Sequence, residues 1–360
     1  MKKLLLILLI ITFSVSMVFM GIGCKAATEE TTTEESTVEE TTATETTTEA
    51  ATEGTTEQYH FISILWSTAD PNIGWITKPA EDYMALNPNV IIDSVGPAEY
   101  DAAQHLEFLE TAIANGVDGI YMHVSDPTVL APAFEEAAAA GIPIVTHTGR
   151  FDTSILPESL WLANVGWDEL KMGSEPAKYL IENYDTPKHV VATLAHLGHA
   201  GQELRCQGFE QELPDGVEFE KLPIGDDPTA AKEILTAFFT DNPDVDVVFN
   251  TNSLSEAWTV GALEELGMAE NIIQIGTSDS PADIEGILQG KITFTNGIQF
   301  YLNGWYPPHV LYTYLKTGLP GPKYLEQSIV IVNKDTAQAA KDMIISITGQ
   351  QAYDDANPWK

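Results

Sequence analysis

The sequence has very few of the residues that make covalent or bidentate ionic links. It contains two cysteines, Cys24 and Cys206, and two arginines, Arg150 and Arg205, against fifteen lysines. We expect Cys24 to carry a lipid, which leaves Cys206 without a partner and excludes a disulfide-stapled fold. Stability must then come from core burial. Because lysine cannot copy the planar, five-donor fork of arginine, the two arginines are candidate functional residues.

Positive charge is also scarce, since the net charge of the chain is −36. Residues 25–58 contribute one lysine and ten glutamates, and residues 59–360 carry −29. So acidic a domain repels phosphate backbones and anionic lipid head groups. We therefore expect no nucleic-acid partner, and any attachment to a membrane has to come from a lipid.

Several catalytic signatures are absent from the sequence. There is no G-x-S-x-G elbow, no H-E-x-x-H motif, no Walker-A loop, no G-x-G-x-x-G fingerprint and no EF-hand loop. His196 and His199 alone fall short of the three or four ligands of a zinc site, so we expect no metal and no cofactor. Hydrogen bonding to a ligand is the alternative role for these histidines.

The N-terminal residues predict export. Residues 1–23 combine Lys2 and Lys3 with an apolar stretch and small residues, which is typical of a secretory signal peptide. Cys24 follows Gly23 as in the lipobox of bacterial lipoproteins, although Gly21 stands where those signals usually have an aliphatic residue. We expect a lipid on Cys24. Residues 24–58 then form a disordered tether rich in Thr and Glu, whose fourteen threonines are alternatively glycosylation sites.

The segment from Gly119 to Arg150 predicts one strand–helix–strand unit. Gly119 to Val124 is a short apolar run, Asp126 and Pro127 suit the start of a helix, and Gly141 suits its end. A second strand runs from Ile144 to Thr146. Such a right-handed βαβ unit belongs to a parallel sheet, and ligands bind beyond the carboxyl ends of its strands. Those ends carry His123, Thr148 and Arg150.

Strands and helices alternate along the rest of the chain. The pattern runs from a strand at His60–Thr68 to a helix at Asp168–Tyr184, restarts with a strand at His189–Ala195 and ends with a helix at Thr336–Ile347. Two βα series of similar length predict two doubly wound α/β domains. A cleft between two such domains is a common place for a small ligand.

Polar residues follow many of the predicted strands. Asp, Asn, Gln and Arg supply the paired donors and acceptors that neighbouring sugar hydroxyls require, although each alone is more often a turn or cap residue. The polar set is Ser67, Asp70, Asn250, Asn252, Ser278, Asp279, Asn296 and Gln299. An aromatic set stands near the same edges, of which one or two could stack on a sugar ring: Trp66, Trp75, Phe151, Trp167, Trp258, Tyr301 and Trp305.

Each arginine and Cys206 also has a structural alternative. Arg205 is predicted as a ligand residue, whereas Arg150 is equally compatible with a ligand contact and with an ion pair to the surplus carboxylates. Cys206 beside Arg205 could be an activated thiol, but an inert, partly buried helix cysteine is the preferred interpretation.

Five segments carry a resemblance to a known family. They are GVDGIYMHVSDPTVLAPAFEEAAAAGIPIVT, RCQGF, PDVDVVFNTN, IGTSDSP and GIQFYLNGW, in that order. From about Phe61 to Val332 the chain resembles the type I periplasmic binding proteins for sugars, which serve bacterial ABC importers. The branch that binds ribose, galactose or autoinducer-2 is the most similar.

The resemblance implies two lobes joined by a three-stranded hinge. The N-terminal lobe then comprises residues 59–166 and 299–327, and the C-terminal lobe residues 167–298 and 328–360. The resemblance further implies ligand contacts in both lobes, and Thr148 and Arg150 are added to them from the strand ends. The predicted ligand set is therefore Ser67, Asp70, Trp75, Thr148, Arg150, Arg205, Asn252, Asp279 and Gln299. Thr148-Gly149-Arg150 replaces the family's Asp-Arg pair, and Asn72, Ile73 and Trp75 replace its paired phenylalanines, so the sugar need not be ribose.

The implied function is that of a lipid-anchored solute-binding protein, outside the cytoplasmic membrane, that passes a neutral monosaccharide or polyol to an ABC permease. We expect it to act as a monomer and to make or break no bond. A sensory receptor of the same fold and an extracytoplasmic sugar-modifying enzyme are the alternatives. A transcriptional regulator of the same fold does not fit the export signal or the acidic charge.

Overall fold

The computed structural model describes residues 57–70, 73–195 and 199–359, apart from the side chain of residue 254. All of them belong to one unit, Thr55–Lys360. The predicted signal peptide, Cys24 and nearly all of the predicted tether lie outside the described residues. No helix among the described residues is both long and apolar enough to cross a membrane.

Twelve strands form two separate six-stranded sheets within the described residues. Their bounds are β1 (Tyr59–Ile64), β2 (Val90–Val95), β3 (Gly119–His123), β4 (Ile144–His147), β5 (Ala163–Gly166), β6 (His189–Leu194), β7 (Glu218–Pro223), β8 (Val247–Asn250), β9 (Ile273–Gly276), β10 (Phe294–Gly297), β11 (Tyr324–Glu326) and β12 (Val330–Asn333). The order in the first sheet is β11-β5-β4-β3-β1-β2, and in the second it is β12-β10-β9-β8-β6-β7. All pairings are parallel except that of β10 with β12.

Helices cover both faces of each sheet. Their bounds are α1 (Gly74–Leu86), α2 (Ala102–Ala114), α3 (Pro127–Ala140), α4 (Glu169–Asn183), α5 (Ala200–Glu212), α6 (Pro228–Asp241), α7 (Ser253–Leu266), α8 (Pro281–Leu288), α9 (Tyr301–Thr317), α10 (Ala337–Thr348) and α11 (Gln350–Asp355). Helices α2 and α3 pack on one face of the first sheet, and α1 and α9 on the other. Helices α4 and α5 pack on one face of the second sheet, and α6 and α7 on the other.

The predicted βαβ unit is confirmed, together with the residues that begin and end its helix. The Asp126 carboxylate accepts the N–H groups of Thr128 and Val129, which satisfies two donors at the start of α3. Gly141 ends the helix with a φ of 74°, a conformation that costs glycine nothing. The sequence therefore determines the limits of this helix.

Three elements differ from the sequence prediction. Strand β1 ends at Ile64 instead of Thr68, because Ser67 and Thr68 turn away to contact residues 97 and 98. Strand β11, three residues long, was not predicted and follows a stretch rich in Gly and Pro. The short helix α11 was also not predicted.

The chain passes between the two sheets three times, after β5, after β10 and after β11. The first and third crossings lie side by side, joined by a hydrogen bond in which the N–H of Gln327 donates to the carbonyl of Gly166 at 2.7 Å. The Gln299 side chain donates to the carbonyl of Ser328 at 2.9 Å. The predicted fold class, two doubly wound parallel-sheet domains joined by a three-stranded hinge, is confirmed. We call the lobe with the first sheet the N-lobe and the other the C-lobe.

Candidate functional site

A cleft of about 550 Å³ lies between the two lobes, at the carboxyl ends of strands from both sheets. Five of the nine predicted ligand residues line it: Asp70, Thr148, Arg150, Arg205 and Asn252. The N-lobe contributes the first three and the C-lobe the last two. The geometry therefore brings polar groups from separate lobes around one space, as the carboxyl edges of doubly wound sheets do.

Arg205 is fixed by two buried contacts in the C-lobe wall. Its Nε donates to Oε2 of Glu169 at 2.6 Å, and its Nη1 donates to the carbonyl of Thr251 at 2.6 Å. The exposed fractions of Arg205 and Glu169 are 9% and 6%. No described residue accepts a hydrogen bond from Nη2. Because Arg205 lines the cleft, that amino group is the part of the guanidinium left for a ligand.

Arg150 is engaged differently at the rim of the cleft. It pairs with Glu326 at 2.6 Å and with Asp168 at 3.4 Å, and its guanidinium carbon lies 4.8 Å from the centre of the Tyr324 ring. The arginine side chain is 38% exposed. The ion pairs that the sequence allowed for are present, and because Arg150 also lines the cleft, its contact with a ligand stays a prediction.

The backbone at Thr148 adopts a conformation that is unusual for its residue type. Its φ is 70°, and a β-branched side chain is strained in that left-handed region. The hydroxyl of Thr148 donates to the carbonyl of His147, so its oxygen accepts from Nδ1 of His123 at 2.5 Å. In addition, the N–H of Thr148 donates to the side chain of Asn303 at 3.1 Å.

His123 is a neutral group in the N-lobe wall. Burial, and then the nearby imidazoles of His147, His105 and His199, hold its pKa well below the ordinary value. Because Nδ1 donates to Thr148, Nε2 is the acceptor of the neutral ring. The Tyr100 hydroxyl lies 3.4 Å from that nitrogen and donates to the carbonyl of Ser125 at 3.0 Å. His123 and Tyr100 both line the cleft.

Three aromatic rings form a continuous wall at the hinge side of the cleft. The ring centres of Trp66 and Phe300 are 5.9 Å apart at an angle of 35°, and Phe300 meets Trp167 edge-on at 5.8 Å. The indole N–H of Trp66 donates to Asp70 at 2.7 Å, which fixes the orientation of its ring. Phe300 lies in the second crossing, so the wall joins the two lobes.

Four predicted ligand residues lie outside the cleft wall. The Ser67 hydroxyl donates to the carbonyl of Ala98 at 2.7 Å. Trp75 packs against C-lobe residues, including Ile284 and Ile344. Asp279 accepts the N–H of Gln299 at 3.0 Å, and Gln299, with a φ of 55°, donates to the third crossing. In this structure these four side chains connect loops or lobes, and their predicted ligand contacts stay a prediction.

Sequence reasoning missed several groups of the wall. Glu169 and Gln202 lie in the first turns of α4 and α5, and the sequence did not indicate that these two polar side chains are buried. Phe300 lies three residues beyond the end of β10 and next to Gln299, so it could have been found by the same criterion as Gln299. Ser278 was named as a strand-end residue but left out of the ligand set.

The lining carries more negative than positive charge. Asp70, Asp126, Asp152 and Glu169 face the cleft with only Arg150 and Arg205. Both arginines are already paired with carboxylates. In the described part of the chain no cluster of three or more His, Cys, Asp or Glu residues could hold a metal ion. The cleft therefore suits a guest that is rich in hydroxyl groups and carries no negative charge.

Cys206 is an inert thiol in the structure. It lies on the buried face of α5, and burial raises its pKa to about 12. A thiol with so high a pKa is not a nucleophile at neutral pH. The structural interpretation preferred from the sequence therefore fits its environment.

The fold and the cleft define a two-lobed binding protein. A sequence profile described as "Periplasmic binding protein domain" matches residues 64–319, and the chain belongs to that family. The resemblance found in the sequence is thereby confirmed.

Two groups of relatives extend the comparison. The chain is 24% identical over 230 residues to the xylose/arabinose-binding protein XylF of Sulfolobus acidocaldarius, covering 61% of this chain and 57% of that protein. It is 22% identical over 200 residues to the D-ribose/D-allose-binding protein of Pseudomonas aeruginosa, covering 55% and 63%. The match thus spans less than two thirds of these curated relatives.

Solved structures share the fold over their whole length. A periplasmic solute-binding protein of an ABC transporter from Actinobacillus succinogenes, solved with bound D-allose, has a TM-score of 0.73 at 20% identity and covers 78% of this chain and 100% of that one. A carbohydrate transporter from Acidothermus cellulolyticus, in complex with myo-inositol, has a TM-score of 0.70 at 22% identity and covers 82% and 99%.

Proposed function

We propose that this chain is an extracytoplasmic solute-binding protein that captures a monosaccharide or related polyol between its lobes and delivers it to an ABC importer. The observation that carries the proposal is the cleft itself. Polar side chains of both lobes, including His123, Asp70, Arg205 and Asn252, line one space beside the aromatic wall of Trp66, Phe300 and Trp167.

Ligand capture follows from the division of these groups between two lobes. A sugar held by one lobe gains the contacts of the other only when the lobes close, so it shifts the population towards the closed form. The three neighbouring crossings and their hydrogen bonds supply the hinge. The aromatic wall covers an apolar face of the ring, and Arg205, Asn252 and His123 bind hydroxyl groups.

The charge of the site supports a neutral ligand. The guanidinium of Arg205 is already neutralised by Glu169 and that of Arg150 by Glu326. A carboxylate or phosphate on the guest would face Asp70, Asp126 and Asp152 without a free cation among the described lining residues. Neutral pentoses, hexoses and polyols are therefore the proposed ligand class, in agreement with the sugars named for the relatives.

Delivery to a permease and attachment through a lipid on Cys24 complete the proposal. Delivery to a permease is inferred from the family. The lipid is inferred from the sequence alone, since residue 24 lies outside the described residues. The protein is proposed to act as a monomer that holds the sugar without changing it.

A thermal-shift screen tests the ligand class. The panel consists of D-xylose, L-arabinose, D-ribose, D-allose and myo-inositol, with D-ribose 5-phosphate and D-galacturonate as charged controls. A ligand at a hundredfold excess over its Kd stabilises the folded state by about 2.7 kcal/mol, which gives a clear rise in Tm. At least one neutral sugar should raise Tm, and the charged controls should not.

Two further measurements separate binding from chemistry. Calorimetric titration of the best sugar should give one site per chain. The same sugar, recovered after prolonged incubation with the protein, should have an unchanged NMR spectrum. Conversion of the sugar would instead identify an enzyme, and a panel without any stabilising sugar would contradict the proposed ligand class.

A further inference from the structure

Two carboxyl groups are buried directly beneath the C-lobe wall of the cleft. Glu256 lies on α7 and Asp283 on α8, with exposed fractions of 1% and 0%. Between them runs the loop after β9, whose residues Thr277 and Ser278 line the cleft. Acidic side chains are almost never fully buried unless they are paired, so this pair needs a physical explanation.

Asp283 acts as an acceptor for several donors. Its Oδ2 accepts the hydroxyl of Ser278 at 2.6 Å and the hydroxyl of Ser280 at 2.5 Å. The N–H of Ser280 approaches the same oxygen at 3.3 Å. An ionised carboxylate accepts such a set, whereas a protonated one would have to donate into it. Asp283 therefore takes the role of the charged member of the pair.

Glu256 makes a single hydrogen bond to the same loop. Its Oε1 accepts the N–H of Thr277 at 2.6 Å, and no described residue donates to its buried Oε2. A Cβ atom placed on Gly276 would lie 2.8 Å from Oδ1 of Asp283 and 3.1 Å from Oε1 of Glu256. The two carboxyl groups therefore converge on the small space above that glycine.

Among the described residues no cationic side chain compensates a second negative charge at Glu256; the favourable groups are the N–H of Thr277 and the start of helix α7. From α8 the group that faces Glu256 is Asp283 itself. The loop after β9 and strand β10 contribute the neutral residues Thr277, Ser278 and Thr295. Burial, and then the charge of Asp283, raise the pKa of Glu256 well above its ordinary value of 4.5. A proton on Oε2 gives that oxygen a donor to direct at Asp283.

We propose that Glu256 is held as the neutral acid and acts as a positioning residue for the cleft. It fixes the N–H of Thr277, and through Asp283 it fixes the hydroxyl of Ser278, so that this part of the wall is in place before the ligand arrives. The positioning role rests on the proposed binding function. Ionisation of Glu256 at higher pH places two negative charges together and loosens the wall.

The effect on stability has a definite sign. A carboxyl whose pKa is raised on folding contributes its full stability below its unfolded pKa and loses that contribution as the pH rises towards its folded pKa. In Glu256→Gln the amide oxygen can still accept from Thr277, and the amide N–H can donate to Asp283 at every pH. The variant should therefore gain Tm over the wild type by roughly 2–4 °C for each pH unit between about 5 and the folded pKa of Glu256, above which the difference levels off.

The experiment measures Tm of the ligand-free protein between pH 5 and pH 9 for the wild type, Glu256→Gln and Glu265→Gln. Glu265 is the matched control, because it lies on the same helix and pairs with Lys232 at the surface. We expect the difference between Glu256→Gln and wild type to grow with pH and that of Glu265→Gln to stay flat. A Glu256→Gln variant that is less stable than wild type by an amount independent of pH would overturn the proposal.

A second measurement separates the positioning role from a purely structural one. The affinity for whichever neutral sugar of the panel binds (D-xylose, L-arabinose, D-ribose, D-allose or myo-inositol) is compared at pH 6 and pH 9. It should fall with pH in the wild type and stay constant in Glu256→Gln; an equal fall in both proteins refutes the positioning role. If no sugar of the panel binds, the proposed function fails, while the Tm profiles still decide whether Glu256 is neutral.

Discussion

The Nε of Arg205 donates to Oε2 of Glu169 at 2.6 Å, with both side chains buried at the C-lobe wall of the cleft. Two charges removed from water stabilise each other here, and the arginine also donates to the carbonyl of Thr251. The arginine is thereby presented in one orientation. The pair explains why an otherwise lysine-rich chain retains arginine at this position.

Removal of Arg205 should therefore be far more costly than removal of Arg150. Arg205→Met leaves Glu169 buried without its partner, and we expect a loss of about 3–5 kcal/mol in the free energy of unfolding. Arg150→Met breaks partly exposed ion pairs and should cost about 1 kcal/mol or less. Urea denaturation of the ligand-free proteins measures both free energies of unfolding. Equal losses in the two variants would refute the larger structural role of Arg205.

Gly149 allows the lobes to approach each other closely. A Cβ atom at this position would lie 1.9 Å from Oε1 of Glu169, which belongs to the other lobe and is held by Arg205. Gly149→Ala should therefore keep the lobes apart and weaken binding of the proposed sugar ligand by at least about tenfold, or 1.4 kcal/mol. Calorimetry measures the affinity, and small-angle scattering should show a larger radius of gyration for the variant with ligand.

Gly321→Ala is the matched control for that substitution, because nothing lies within 4 Å of a Cβ atom there. It should leave both the affinity and the radius of gyration unchanged. A Gly149→Ala protein that behaves in the same way would show that the contact with Glu169 is not needed for closure.

The aromatic wall predicts a specific role for Trp66. Trp66→Leu removes the ring that packs against Phe300 at 5.9 Å, and affinity for the proposed sugar ligand should fall roughly tenfold, about 1–2 kcal/mol. Trp258→Leu provides the comparison, since Trp258 lies in a groove of about 810 Å³ between α6 and α7, outside the cleft. A loss of affinity in Trp258→Leu as large as that in Trp66→Leu would contradict the location of the site.

His147 predicts a dependence of stability on acid pH. Its ring is buried, neither ring nitrogen has a hydrogen-bond partner among the described residues, and burial, and then the nearby His105, lower its pKa from 6.5 to about 3. Because the unfolded chain binds a proton more readily, the contribution of His147 to stability falls as the pH decreases from 6.5 towards 3.

The variant His147→Leu removes that proton-binding group and the two unpaired nitrogens. It should be at least as stable as the wild type at pH 7, and its advantage should increase as the pH falls to 5. Thermal unfolding at both values measures the effect. A constant difference between the two proteins across this range would show that His147 does not titrate on unfolding.

The sequence was sufficient for the elements whose limits depend on local chemistry. The start of α3 at Asp126 and its end at Gly141 are set by a side chain and a backbone conformation that neighbours in sequence determine. Strand β11 depends instead on pairing with β5, which lies far away along the chain. Its three residues are too few to show the alternation of apolar and polar residues that would predict a strand.

The same distinction applies to the site. That Asn252 lies at the cleft follows from its position just beyond β8, whereas Arg205, within α5, was marked by the rarity of arginine in the chain. Asp279 also follows a strand, but its carboxylate accepts the N–H of Gln299, twenty residues further along the chain. The positive φ of Gln299 cannot be predicted from a local pattern. Which strand-end side chains face a ligand is decided by the path of the crossings, and that path is a property of the assembled fold.

The first sheet obtains its edge strand β11 from residues 324–326, and the core cluster around Phe61 and Tyr83 is closed by Leu311 of α9. A nascent chain therefore cannot complete either lobe until most of the polypeptide has left the ribosome. For the exported protein proposed above, this order of assembly delays folding until nearly the whole chain is available, although the finished N-lobe has a fully buried core.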